Sequence, residues 1–151
     1  MDTPDDLVGA FTEAVPFALR ELAGVEVVVR DAGPATAAVD ADLAAAIRLD
    51  TAAGEGRLVL CLPGRTAEAL ARRILAGTPA ETTPDLVQDC MGEVANVVGG
   101  QAKTLLVGSP SHFTLSTPVV GTDIPVSAPE AWAIRFDSDA GEFAVHLYPP
   151  R

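Results

Sequence analysis

Lysine is nearly absent from this chain. Lys103 stands alone against nine arginines, and the 10 bases face 21 acids, for a formal net charge of -11. A surface of that sign repels a nucleic-acid backbone and an anionic membrane, which argues against both as partners. A cationic partner, or one that brings its own metal, suits it better. Cysteine is limited to Cys61 and Cys90, both in apolar segments, and the expectation is two buried free thiols. No apolar run approaches the 18 or so residues of a membrane span. The start, MDTPDDL, is acidic where a secretory signal would be basic and then apolar, so the expected location is the cytoplasm.

The common catalytic signatures are missing as well. There is no glycine-rich phosphate loop ending in Gly-Lys-Ser/Thr. GSPSH, at 108–112, lacks the second glycine of a serine nucleophile elbow. His112 and His146 are the only histidines, and no Cys/His set has zinc spacing. Both fall in segments that read as strands, so both are expected on a sheet surface. An enzyme built from this chain would have to work with carboxylate, amide or lysine, and with any metal supplied from outside.

What is present organises into one domain, 1–151, of α+β class: an antiparallel or mixed sheet with helices packed on it. Thr3-Pro4-Asp5-Asp6 starts a helix, with a cap, a first-turn proline and acids at the positive end. Leu7, Phe11, Val15, Leu19 and Leu22 continue it to Gly24, with a kink expected at Pro16. VEVVVR, 25–30, reads as a strand and 31–42 as a loop. Strands follow near 44–50 and 57–62, joined by TAAGEG, the second apolar on both faces like a central strand. A short helix spans 66–76, ending at Gly77. A second Thr-Pro-Asp, at 83–85, opens a long helix running towards Val107, with Gly108 as its terminator. An extended stretch at 112–119 precedes a closing hairpin. In that hairpin Trp132, Ile134, Phe136, Phe143, Val145 and Leu147 face the core, and Arg135, Glu142 and His146 face water.

The long helix carries the informative pattern. In DCMGEVANVVGGQAK, 89–103, the residues Asp89, Glu93, Asn96, Gly100 and Lys103 recur at steps of four and three. At about 100° per residue they fall within roughly 40° of Asp89, a narrow polar ridge beside a broad apolar arc. An ordinary solvated face would show this spacing too. Three residues fit that explanation poorly. Asn96 is a mediocre helix former, and Gly99-Gly100 costs about 1 kcal/mol per glycine against alanine. Glycines beside an acid and an amide suggest close approach of another backbone or molecule. Packing against the sheet competes as an explanation for Gly99, less well for Gly100.

Asp89, Gly92, Glu93, Asn96, Gly100, Ala102 and Lys103 together resemble the signature helix of the CheX-type chemotaxis phosphatases, relatives of CheC and FliY. That helix reads roughly D-x-x-G-E-x-x-N-x-x-x-G-x-x-K. The strand–turn–strand at 44–63, the helix after it, and STPVVG at 116–121 are similar to the family's flanking segments, so the resemblance spans roughly 43 to 121. One copy of the motif favours the CheX-like branch over CheC, which tends to carry two. Gln101 departs from the asparagine often found in the family at that position.

The resemblance implies a phosphatase for the aspartyl phosphate of a CheY-like response regulator. The partner would supply the phospho-aspartate, Mg²⁺ and an active-site lysine, and this chain no cofactor of its own. Glu93 would pair with that lysine and Asn96 would orient the attacking water, as glutamine does in small GTPases. Asp89 either orients Glu93 or meets the partner. Lys103 either reaches an acidic patch on the partner or caps local carboxylates. Gly100 clears the approach. A homodimer through sheet edges is implied too. The alternatives are a non-catalytic CheX-like module that binds a receiver or other signalling domain, and a purely structural dimer.

Overall fold

A computed structural model describes residues 5–35, 41–124 and 131–150. The proposed capping residues Thr3 and Pro4, and 36–40 of the expected loop, lie outside the described residues.

The first helix, α1 (Asp5–Ala23), runs unbroken through Pro16 and ends at Gly24, whose φ of 63° suits a residue without Cβ. Among the described residues seven strands form one sheet: β1 (Val27–Pro34), β2 (Leu43–Thr51), β3 (Gly54–Leu62), β4 (Phe113–Leu115), β5 (Val119–Gly121), β6 (Trp132–Ser138) and β7 (Phe143–Tyr148). The order is β1-β6-β7-β3-β2-β4, with β5 also on β2, and every pairing is antiparallel. The other helices among the described residues are α2 (Gly64–Ile74) and α3 (Pro84–Leu105).

Period two decides which strand residues enter the core. Ala45, Ile47 and Leu49 of β2, Leu58, Leu60 and Leu62 of β3, and Val145 and Leu147 of β7 point at the helices. They meet Leu7, Phe11, Val15 and Leu19 of α1 and Met91, Val94 and Val98 of α3. Phe11 stacks on Phe113 at 5.9 Å between ring centroids, tying α1 to β4. α3 packs along α1 on one side and over β2, β4 and β5 on the other, so it lies above one end of the sheet.

Three expectations need correction. First, the opening strand does not stop at Arg30. It continues through Asp31-Ala32-Gly33-Pro34, paired with β6 after a register shift between Val29 and Asp31. These residues are poor strand formers, but β1 is an edge, and Pro34 ends it, where a missing N–H is tolerated. Second, the stretch after α3 is two short strands, not one. β4 and β5 both pair with β2, and the chain between them, Thr117-Pro118, has no place in the ladder.

Third, His146 is not on a wet face. It is fully buried, although its neighbours Arg135 and Glu142 are exposed as expected. The far side of the sheet holds a small second cluster of Ala44, Val59 and Cys61, with Ile124 and Tyr148 against it. His146 pairs with Val59 on that side, and among the described residues neither ring nitrogen has a hydrogen-bond partner. Burial, helped by the positive charge of Arg135, pushes its pKa below the ordinary 6.5. His112 lies just before β4, partly exposed.

Candidate functional site

α3 forms where its sequence signals place it. The Thr83 hydroxyl accepts from Leu86 N–H at 3.2 Å, Pro84 occupies the first turn and Asp85 follows it. At the other end the helix stops at Leu105, and Gly108 reverses the chain with φ 82°. The apolar arc, including Cys90, Met91, Val94, Ala95, Val98 and Ala102, is buried.

The ridge is on the outside. Asp89, Glu93 and Asn96 are exposed; Gly100 and Lys103 are half-buried. Glu93 and Asn96, three residues apart, have Cβ atoms about 5–6 Å from each other on an α-helix. Among the described residues, neither has an ion pair or a side-chain hydrogen bond, and the same holds for Asp89 and Lys103. Lys103 therefore caps no carboxylate at ion-pair distance, although it sits in the last turn, where a cation favours the helix dipole.

The two adjacent glycines separate cleanly. A Cβ on Gly99 would meet Leu115 at 3.3 Å and Ile47 at 3.6 Å, so Gly99 lets α3 settle on the sheet. A Cβ on Gly100 would meet nothing within 4 Å. Internal packing does not account for glycine there. Gly92 is a second close approach on α3, with Val120 3.3 Å from where its Cβ would lie.

That approach makes one wall of a groove of about 610 Å³. Gln88, Asp89, Gly92, Glu93 and Asn96 line it from α3, and Leu115–Pro118 with Val120 line it from the sheet edge. The second wall and Gln88 went unnoticed in the sequence. STPVVG was readable as extended, but its place opposite α3 depends on β4 and β5 sharing β2.

Cys90, on the apolar arc, is held as a thiol: burial and then the Asp89 charge push its pKa up. Cys61, in the second cluster, is pushed up to about 12 by burial. Neither is an activated nucleophile. Among the described residues, no three His, Cys, Asp or Glu side chains converge into a metal-ligand set. The ridge offers an amide, carboxylates and open space: groups that position rather than bond covalently.

The family described as chemotaxis phosphatase CheX matches residues 43–137, most of the chain and all of α3. The chain belongs to the CheX family. Solved structures share the fold. A CheX chemotaxis protein from Desulfovibrio desulfuricans superposes with TM-score 0.82 at 23% identity, over 93% of this chain and 97% of that one. CheX from Borrelia burgdorferi, solved as a CheX–CheY–BeF3–Mg²⁺ complex, gives 0.75 at 20% identity, over 93% and 96%. FliY from Thermotoga maritima gives 0.64 at 18% identity, over 99% and 92%. No protein of curated function matches the chain by sequence. Among the described residues no helix is long and apolar enough to cross a membrane.

Proposed function

We propose that this protein hydrolyses the aspartyl phosphate of a CheY-like response regulator, with half of the active site on each protein. The observation that carries the reading is the Glu93–Asn96 pair: exposed, adjacent, without internal partners, and followed by empty space over Gly100. CheX family membership supports it, as does the existence of a CheX–CheY complex in Borrelia burgdorferi.

In this reading the ridge inserts against the receiver's phosphorylation site. Glu93 pairs with the partner's active-site lysine and fixes the docking. The Asn96 amide holds one water in line with the phosphorus. The water oxygen bonds to phosphorus, the bond to the aspartyl oxygen breaks with its electron pair staying on the carboxylate, and both water hydrogens leave on the dihydrogen phosphate, which then equilibrates with solvent. The products are a free aspartate and inorganic phosphate. Mg²⁺ belongs to the receiver and supports the charge on the phosphoryl oxygens. No covalent intermediate on this chain is needed. A hundredfold acceleration requires about 2.7 kcal/mol, within the range of one well-placed polar group.

The test is phosphate loss from a phosphorylated CheY-like receiver, with and without this protein. Asn96→Ala is expected to remove the acceleration. Unchanged rates with every receiver tried, alongside measurable binding, would instead favour a non-catalytic binding module.

Two further parts of the reading concern assembly and place. β1 is a sheet edge that exposes Val28 at 62% and Val29 at 41%, an apolar strand suited to pairing with its copy in a homodimer. Sedimentation should give a dimer, and Val28→Lys should give monomers. Receiver phosphatases meet their partners in the cytoplasm, the location assigned here.

A further inference from the structure

The groove beside α3 is longer than a Glu93–Asn96 contact needs, since it continues past Gly92 to Asp89 and Gln88. Its two walls differ in charge. The α3 wall carries two exposed carboxylates, Asp89 and Glu93, without a cation among the described residues. The opposite wall, Leu115–Pro118, is uncharged. It is also anchored: Ser116 N–H donates to Arg48 O at 3.1 Å, and Arg48 N–H donates to the Ser116 hydroxyl at 2.9 Å. The Arg48 guanidinium is engaged by Asp50 and Glu55.

Asp89 does not orient Glu93 by a hydrogen bond, and two carboxylates cannot share one when both are ionised. They are an (i, i+4) pair of like charges, which costs a helix a few tenths of a kcal/mol. Binding of cations along the ridge turns that cost into attraction. Their separation along the helix axis is about 6 Å. Alternate side chains on an extended strand are spaced by about 6.6 Å.

Resting on the reading above, we infer that the groove is a docking track for an extended segment of the same receiver, and that Asp89 takes a second basic side chain of that segment. Three observations favour this occupant. The groove runs on from the Glu93–Asn96 pair without a break. Its fixed charge is of one sign. Its anchored neutral wall leaves the backbone of a guest uncontested. Asp89 is then a specificity residue: it selects receivers with a basic group one step from the active-site lysine, and takes no part in hydrolysis.

The charge of the neutral wall can be set without touching α3, because Thr117 is exposed. Calorimetry would measure binding of a CheY-like receiver held in its activated form by BeF3⁻ and Mg²⁺. Thr117→Glu should bind tighter than wild type and Thr117→Lys weaker. Asp89→Asn should bind about three- to fivefold weaker, the size of one exposed ion pair. All three differences should shrink in about 0.5 M salt. Any other order among the Thr117 variants, or Asp89→Asn binding like wild type, overturns the inference. Hydrolysis is scored separately. If the binding series fails while Asn96→Ala still abolishes turnover, only the docking track is lost. If wild type binds no receiver and accelerates none, the proposed function goes, and the track with it.

Discussion

The α3 ridge and the far face of the sheet both hold polar side chains that have no internal partner among the described residues, in opposite surroundings. Asp89, Glu93 and Asn96 are exposed, so water satisfies them and the fold is not weakened. His146 is fully buried and, among the described residues, neither ring nitrogen has a protein partner, so the fold bears the cost of its burial. The first set is available to a partner and the second is not. An unpartnered polar group points to function only together with its exposure and what lies above it.

The largest effect expected from this contrast is at Asn96. Asn96→Ala should lower receiver-stimulated phosphate loss by about a hundredfold, with a denaturation midpoint within experimental error of wild type. A midpoint that fell substantially would mean that Asn96 serves the fold, and the ridge would lose its separation from the core.

How much of this was readable from sequence depends on whether the deciding contacts are local. The α3 cap at Thr83, its stop near Gly108 and its exposed ridge all follow from short-range signals, so they were legible. So was the difference between Gly99 and Gly100, because the wheel places them on different lines. The second half of β1 was not. Gly33-Pro34 reads as loop, and only pairing with β6, a hundred or so residues later, makes it strand. His146 failed for a similar reason. Period two told which side of β7 it faces, but whether that side is wet depends on segments distant in sequence, such as Ile124 packing on the Ala44–Val59–Cys61 cluster of the same face. The groove's second wall was invisible because β4 and β5 meet α3 only through their shared pairing with β2.

The buried member of the contrast gives the next prediction. The folded-state pKa of His146 lies below 6.5, so the unfolded chain binds the extra proton first. Stability from this group is therefore complete above about pH 6.5 and is lost as pH falls through the folded-state value. His146→Met fills similar space without orphaned nitrogens. It should raise stability by about 1–3 kcal/mol and flatten the acid side of the profile relative to wild type. Chemical denaturation from pH 7.5 down to 5 measures both. An unchanged slope would show that the histidine is compensated after all.

Gly100 sharpens the comparison at about 1 kcal/mol. With nothing within 4 Å of an added Cβ, Gly100→Ala should stabilise α3 by up to that amount through helix propensity alone. If the space over it belongs to a receiver, the same variant should bind the receiver less well. A gain in stability with no loss of binding would leave Gly100 without a role at the interface.

The smallest effect belongs to a third kind of polar group, exposed but fully partnered. Asp6 at the start of α1 accepts from the Ser109 hydroxyl at 2.6 Å and the Ser111 hydroxyl at 2.8 Å, fastening the segment after α3. Those bonds, Ser109 first, hold its carboxyl below the usual 3.8. The contribution is present above that value and is lost as pH falls through the lowered one. Because the site is open to solvent, Asp6→Asn should cost well under 1 kcal/mol at pH 7. It should leave receiver binding unchanged, since Asp6 lies beyond the far end of α3 from Asp89. A loss of binding in this variant would extend the functional surface past Lys103 to the Gly108 turn.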